Sequence, residues 1–339
     1  MESFALLMLL CGVVGDEPVT KPVVKQEIVV TADRQKEPRD QAAAAVTVLD
    51  RAAIERLPAA SLAEVLGYVP GVTMMFDSGT GGIPMVTSRG FFGGGEVEYV
   101  KLLLDGVPVG DMESGNVDWQ RFRAGDIDRI EVLHGPGSAL YGDTALGGVI
   151  QVFTRQLAKD EERGEVTLRG GSFGGRDIDA GYGAELGGGT RVDARIGSWQ
   201  TGGFRDHANT DDRFGHLLIE RLGDRSRWRF DAEGDRETRH QPGALTRGEI
   251  NLDREQSEAI YRFDGQDTSR GRIAATHDSY GAIPYRITVY GTQRDDDTLR
   301  TLLLAPGFSS SAFRALTTRS GGGTFEASRE WTRGTLRAG

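Results

Sequence analysis

The sequence predicts an α+β domain followed by antiparallel strands of a transmembrane β-barrel, and three observations predict it. Up to about residue 155 the apolar residues mix helical and strand spacing; from about 160 onward they alternate with charged residues at a period of two. The longest apolar run, Phe4 to Val14, is too short for a membrane helix, which needs about 20 residues, so a chain that crosses a membrane must cross it as a barrel. Glycine accounts for 48 of 339 residues without a three-residue period, which excludes collagen and suits glycine-rich loops between strands.

The ends come first. Phe4 to Val14 has the length of a signal-peptide core, and Val13-Val14-Gly15 offers small residues before a cut, although Glu2 stands where a basic residue is usual. Residues 1–15 are therefore expected to be a signal peptide and 16–34 a linker. Cys11 is the single cysteine, which excludes a disulfide framework and a Cys-ligated zinc site. The β-branched run Glu27-Ile28-Val29-Val30-Thr31-Ala32 can form a short strand that adds to the open sheet edge of another protein.

Residues 35–155 read as one mixed domain. Val46 to Leu49 is a strand, and Asp50 caps a helix carrying Ala53, Ile54 and Leu57. Ser61-Leu62-Ala63-Glu64 has the capping-box pattern of a second helix, which Pro70-Gly71 ends. Strands follow at 85–88, 100–104, 129–133 and 149–154, with Asp105-Gly106 as a hairpin turn. Beyond 160, Ile178, Ala180, Tyr182, Ala184 and Leu186 alternate with acidic residues and glycine. Trp228, Phe230 and Ala232 alternate with Arg227, Arg229, Asp231 and Glu233. Further segments lie near 213–222, 256–264, 270–278, 285–294 and 322–330, about nine to eleven strands in all, and helical periodicity is absent. An apolar outside and a charged inside suit a transmembrane barrel; a soluble sandwich also alternates, and periodicity leaves both open.

Motifs that suggest chemistry are incomplete. The formal charge of −10 argues against a nucleic-acid partner. Gly137 to Thr144 has phosphate-loop spacing, but Asp143 replaces the lysine and would repel phosphate. Gly170-Gly171-Ser172-Phe173-Gly174 fits a nucleophile elbow, but a strand follows where that motif needs a helix, so a hairpin turn is expected. Asp206, Asp211, Asp212 and Asn209 offer calcium-type oxygens without EF-hand spacing and read as a solvated loop. The five histidines are scattered. Neither an enzyme nor a resident metal or cofactor is expected.

The run Asp126 to Thr154, DIDRIEVLHGPGSALYGDTALGGVIQVFT, closely resembles the end of the plug domain of TonB-dependent outer-membrane receptors. Arg129, Glu131, Gly135, Pro136, Tyr141, Gly142, Gly147 and Gly148 match its pattern, with His134 where the family often has Arg. Upstream, Pro70-Gly71-Val72, Arg89-Gly90-Phe91 and Asp105-Gly106-Val107-Pro108 follow in the family's order, and Glu27 to Ala32 resembles the TonB box. The resemblance implies a plug at 35–155, barrel strands at 160–339, an outer-membrane location, and three partners: TonB, membrane lipid and a large scarce solute. A ferric siderophore is the first expectation, cobalamin or haem the next. Loops near Asp77 to Pro84, Phe91 to Glu98 and Gly110 to Asn116 would face the solute, with Phe91, Phe92 and Met112 as contacts or as packing within the plug. Arg89 and Glu131 are expected to pair with each other or with the barrel. The family's 22 strands need on the order of 400 residues, whereas 184 follow residue 155, so about half a barrel and a truncated chain are expected. A soluble plug-like module and a non-functional gene fragment are the alternatives.

Overall fold

The computed structural model describes residues 42, 44–75, 84–91, 99–110, 117–142, 144–158, 160–305, 307–331 and 334–339, and the backbone of 28–29 and 37–38. Residues 1–15, expected to be a leader, lie outside the described residues.

In the N-terminal part, β1 (Ile28–Val29) pairs antiparallel with β2 (Glu37–Pro38). β3 (Val46–Asp50) leads straight into α1 (Arg51–Glu55), because Asp50 accepts a hydrogen bond from the Ala53 amide at 2.8 Å. α2 (Leu62–Leu66) starts at Ser61. Its side chain accepts from the Glu64 amide, and the Glu64 carboxylate accepts from the Ala60 amide. Both caps stand where the sequence places them. β4 (Val72–Met75) pairs with β5 (Met85–Ser88), and β6 (Val100–Leu104) turns into β7 (Val107–Pro108). Asp105 and Gly106, at φ 50° and 88°, give that turn the left-handed backbone a tight hairpin requires. β8 (Ile127–His134), α3 (Ser138–Tyr141) and β9 (Gly148–Thr154) complete the domain.

Five of these strands form one sheet in the order β3-β8-β9-β6-β7, antiparallel except for β6 beside β9. The period of two sends its residues to two faces. Leu102, Leu104, Ile130, Val132, Ile150 and Val152 pack under α1 and α2 with Leu62, Val65, Leu66, Trp119 and Phe122. Val46, Leu103, Leu133 and Val149 pack with Tyr141 and Ala145 on the other face. Gly148 is required where β9 begins: its φ is 154°, and a Cβ there would meet the Leu133 carbonyl oxygen at 2.7 Å.

The second part is a nine-stranded antiparallel meander, each strand pairing with the next. The strands are β10 (Glu162–Gly170), β11 (Arg176–Gly187), β12 (Thr190–Thr201), β13 (Thr210–Leu222), β14 (Ser226–His240), β15 (Gly265–Ser279), β16 (Tyr285–Ala305), β17 (Phe308–Trp331) and β18 (Gly334–Ala338). Among the described residues β10 and β18 do not pair, so the sheet is open. The nine strands lie at the low end of the expected range. The segment 256–264 corrects the sequence reading. It lies in the long connection between β14 and β15, with a single 3-10 turn at Ala259–Tyr261 and α4 (Arg247–Leu252) ahead of it. The buried Arg205 guanidinium takes the Gln256, Pro242 and Gly243 carbonyls, which draws this stretch into a folded loop instead of a ladder. α4, with a full Thr246/Glu249 capping box, is likewise a helix that strand alternation did not reveal. Gly171 to Gly175 is the expected hairpin turn.

The outward face is apolar and exposed: Val166, Leu168, Ile178, Ile196, Phe230, Ile273, Ile287 and Val289, with Leu168 72% exposed. A soluble sandwich would cover these residues, and here they form the surface. Near the short turns, Trp228, His277 and Tyr285 stack across three strands, as aromatic residues do at a membrane boundary. Among the described residues no helix is long and apolar enough to cross a membrane. β16 and β17 have 21 and 24 residues. Their tip, from Leu302 to Ala312, rises past the last β15 pair, Gly265–Leu299, and exposes Leu302, Leu303, Leu304 and Phe308.

Candidate functional site: the charged seat between plug and wall

The inward face of the meander buries charge. Asp177, Asp179, Asp193, Arg195, Asp212, Arg229, Asp231, Glu237, Arg239 and Arg272 are all buried. Such residues are buried only when paired, and much of the pairing comes from the N-terminal domain.

The stretch from Val117 to Asp126 supplies most of it. Trp119 and Phe122 sink into the domain's core. The backbone is sewn to α2 and its approach: the Leu62 amide donates to the Phe122 carbonyl, the Ala63 amide to Trp119, and the Ala124 amide to Ala60. Arg51 donates to the Gly125 and Ile127 carbonyls at 2.6 and 2.8 Å. Between these anchors the charged side chains reach the wall. Asp118 accepts from Arg239 at 3.4 Å and Arg270 at 3.2 Å. Burial opposes its charge, but Arg239, Arg270 and Arg121 outweigh burial and hold its pKa below the ordinary value. Arg121 donates to Asp235 at 3.0 Å and Glu233 at 3.3 Å. Arg123 lies between Asp177 (3.7 Å) and Asp212 (3.5 Å) and over the Trp199 and Phe214 rings. Asp126 pairs with Arg195 at 2.7 Å.

A second contact locks the β6–β7 turn to the wall. Asp105 accepts from the Thr154 amide (3.0 Å), the Thr154 hydroxyl (2.7 Å) and Arg229 (2.6 Å). One carboxylate thus joins the hairpin turn, the last residue of β9 and strand β14. Arg155 reaches Glu165 at 3.1 Å.

Several residues singled out from sequence fall here, and others do not. Asp105 is in the seat. Glu131, fully buried, pairs with Arg129 at 3.0 Å; two residues apart on β8, they lie on the same side of the strand. Arg89 and Gly90, at φ 50° and 85°, form a tight turn closed by the Phe91 amide on Ser88. Phe91 is 45% exposed, edge-on to Tyr99, with Gly147 packed against it. Tyr141 is core, and Gly135, Pro136 and Gly142 shape the turns around α3. Phe92, Met112, Glu27, Val30, Thr31 and Ala32 lie outside the described residues. His134 bonds Thr47 at 2.8 Å; burial, then Arg89, lowers its pKa, which keeps it neutral at pH 7. The acidic loop does not assemble. Asp212 faces inward to Arg123 and Asp211 outward to Gln200, and among the described residues no acidic or histidine group is placed to hold a metal ion. Sequence reasoning passed over Asp118, Arg121, Arg123 and Asp126; the available signal was two core aromatics interleaved with four charges.

The model of the TonB-dependent Receptor Plug Domain matches residues 38–149. The vitamin B12 transporter BtuB of Vibrio vulnificus is 37% identical over 145 residues, 43% of this chain and 23% of that protein. Among solved structures, P. aeruginosa FpvA bound to a heterologous pyoverdine aligns at a TM-score of 0.72 and 15% identity, over 91% of this chain and 43% of that one. The ferric yersiniabactin uptake receptor FyuA of Yersinia pestis aligns at 0.67 and 15%, over 87% and 46%. The ferric citrate transporter FecA aligns at 0.65 and 19%, over 84% and 48%. The chain therefore spans under half the length of each of these relatives. Residues 38–149 thus match the plug domain of TonB-dependent receptors in sequence, and the strands that follow share the fold of the solved receptors.

Proposed function

We propose that the chain supplies the plug and the adjoining wall of an active-uptake receptor, with 1–15 as leader, 16–34 as a linker carrying the TonB box at 27–32, 35–155 as plug and 160–339 as wall. The solute is a ferric siderophore first, and cobalamin or haem next. Three of the named relatives are described by a ferric chelate or pyoverdine and one by vitamin B12. Phe91, Phe92 and Met112 are the proposed solute contacts.

The observation that carries the reading is the polar seat. Ion pairs fix the plug in one position but add little net stability, because both partners regain water when they part. An apolar seat of the same area would resist separation. Force on the TonB box would arrive at β3, which among the described residues is an edge strand paired to β8 alone. Pulling from Val46, at the end of that ladder, breaks its bonds one at a time.

The box works by backbone pairing in this reading, so its N–H groups matter more than its side chains. Titration of the full chain with the purified TonB C-terminal domain should show binding that Val29→Pro abolishes and Val29→Thr leaves nearly intact. Equal affinity for the proline variant would sink the box assignment. Parallel titrations with ferric chelates, cyanocobalamin and haem rank the solutes.

A further inference from the structure

On the outward face of β13 to β17 two features adjoin. One is a shallow groove of about 760 Å³ across β12 to β17, in the size range of small-ligand sites, about 300–1,000 Å³. Its floor is low because Gly215 pairs with Gly234, and Gly234 with Gly271, across neighbouring strands. Ile196, Leu217 and Ile273 form its apolar walls, and Arg319 lies at one end.

The other feature is charge of one sign where it is unfavourable. Arg213 and Arg236 are direct cross-strand partners, two pairs above the Gly215–Gly234 step and on the same face of the sheet. Like charges placed opposite each other destabilise a sheet. Arg213 is 73% exposed, with only a 3.3 Å contact to Asp211. Arg236 has no ion-pair partner among the described residues. The nearby carboxylates are engaged elsewhere: Asp211 by Gln200, Asp267 by Thr238, and Asp295 by Gln293 and Thr317.

We propose that this surface binds a phosphorylated lipid of the outer leaflet, its phosphate between Arg213 and Arg236 and an acyl chain in the groove below. Paired guanidiniums suit a phosphate, whose oxygens accept several N–H groups at once. The anion relieves the Arg–Arg repulsion. The groove lies on the apolar belt, so its occupant is a hydrocarbon chain, and the arginines stand where that belt turns polar. Charge and apolar depth thus meet in one amphiphile.

The test uses the full chain in neutral detergent, incubated with diphosphoryl lipid A and passed through gel filtration; retained lipid is counted by mass spectrometry. Wild type should retain it, and retain the dephosphorylated lipid about tenfold less, the effect of losing one charge-assisted contact. Arg213→Gln with Arg236→Gln should lower retention by a similar factor. Gly271→Leu should do the same by filling the groove; nothing lies within 4 Å of a Cβ at that position, so the strand is not displaced. Circular dichroism checks that strand content is kept. No retention by wild type, unchanged retention in either variant, equal retention of the dephosphorylated lipid, or displacement by millimolar inorganic phosphate alone would each overturn the proposal.

Discussion

Asp105 is asked for two things at once, a left-handed turn and a half-buried negative charge. Asn shares the tolerance for positive φ but not the charge. Asp105→Asn should therefore keep the hairpin and leave Arg229 with only Asp231 at 3.6 Å as a counter-charge, while Asp105→Ala loses the turn preference as well. Removing one partner of a buried pair costs about 3–5 kcal/mol. The melting temperature of the detergent-solubilised chain should fall in the order wild type, Asn, Ala. Asp105→Asn with Arg229→Met should cost less than the sum of the two, because each single change removes the same 2.6 Å contact; strict additivity would refute the latch. Asp118 sets an acid limit. Its pKa is lowered in the folded chain, so its stabilisation is present above the unfolded value of 3.8 and is lost as pH falls through the lower, folded value. Melting followed from pH 6 to pH 2.5 should show a loss confined to the acid end, and Asp118→Asn should flatten it while lowering stability at neutral pH. At this scale the sequence was only partly legible. The Asp105 turn was visible as Asp-Gly, but its bond to Arg229 joins residues 124 apart, and no local pattern encodes such a contact.

Elements were more legible, because caps and periodicity are local. Asp50 and Ser61 fixed both helix starts, and alternation found most wall strands. It failed at 256–264, where Ile260 and Phe263 look like strand residues but Tyr261 is buried against Gly243 in a folded loop held by Arg205. The Val117–Asp126 stretch was opaque for a related reason: it is neither helix nor strand, and its shape is set by partners on α2 and the wall. The two halves should differ in self-sufficiency. Residues 35–155 enclose two apolar clusters and should stay soluble and at least partly ordered when produced alone. Residues 160–339 carry exposed apolar strand faces and open edges and should aggregate without detergent. Size exclusion and circular dichroism compare them; a monomeric, cooperatively melting 160–339 fragment would refute the membrane reading.

For the whole molecule, the meander has two unlike ends. One carries tight turns at 187–190 and 222–226, the other the folded 241–264 connection and the tall β16–β17 hairpin. Outer-membrane barrels keep short turns on the periplasmic side and longer loops outside, so the hairpin is expected to point away from the cell. Beyond Gly265–Leu299 the β15 ladder stops among the described residues, and the tip is an exposed turn of the kind that tolerates inserted sequence. That gives the hairpin a practical use as a reporter of topology. An epitope inserted at Gly307 should be stained by antibody on intact cells, and the same epitope at Gly188 only after permeabilisation. Staining in the reverse pattern would turn the molecule upside down in its membrane.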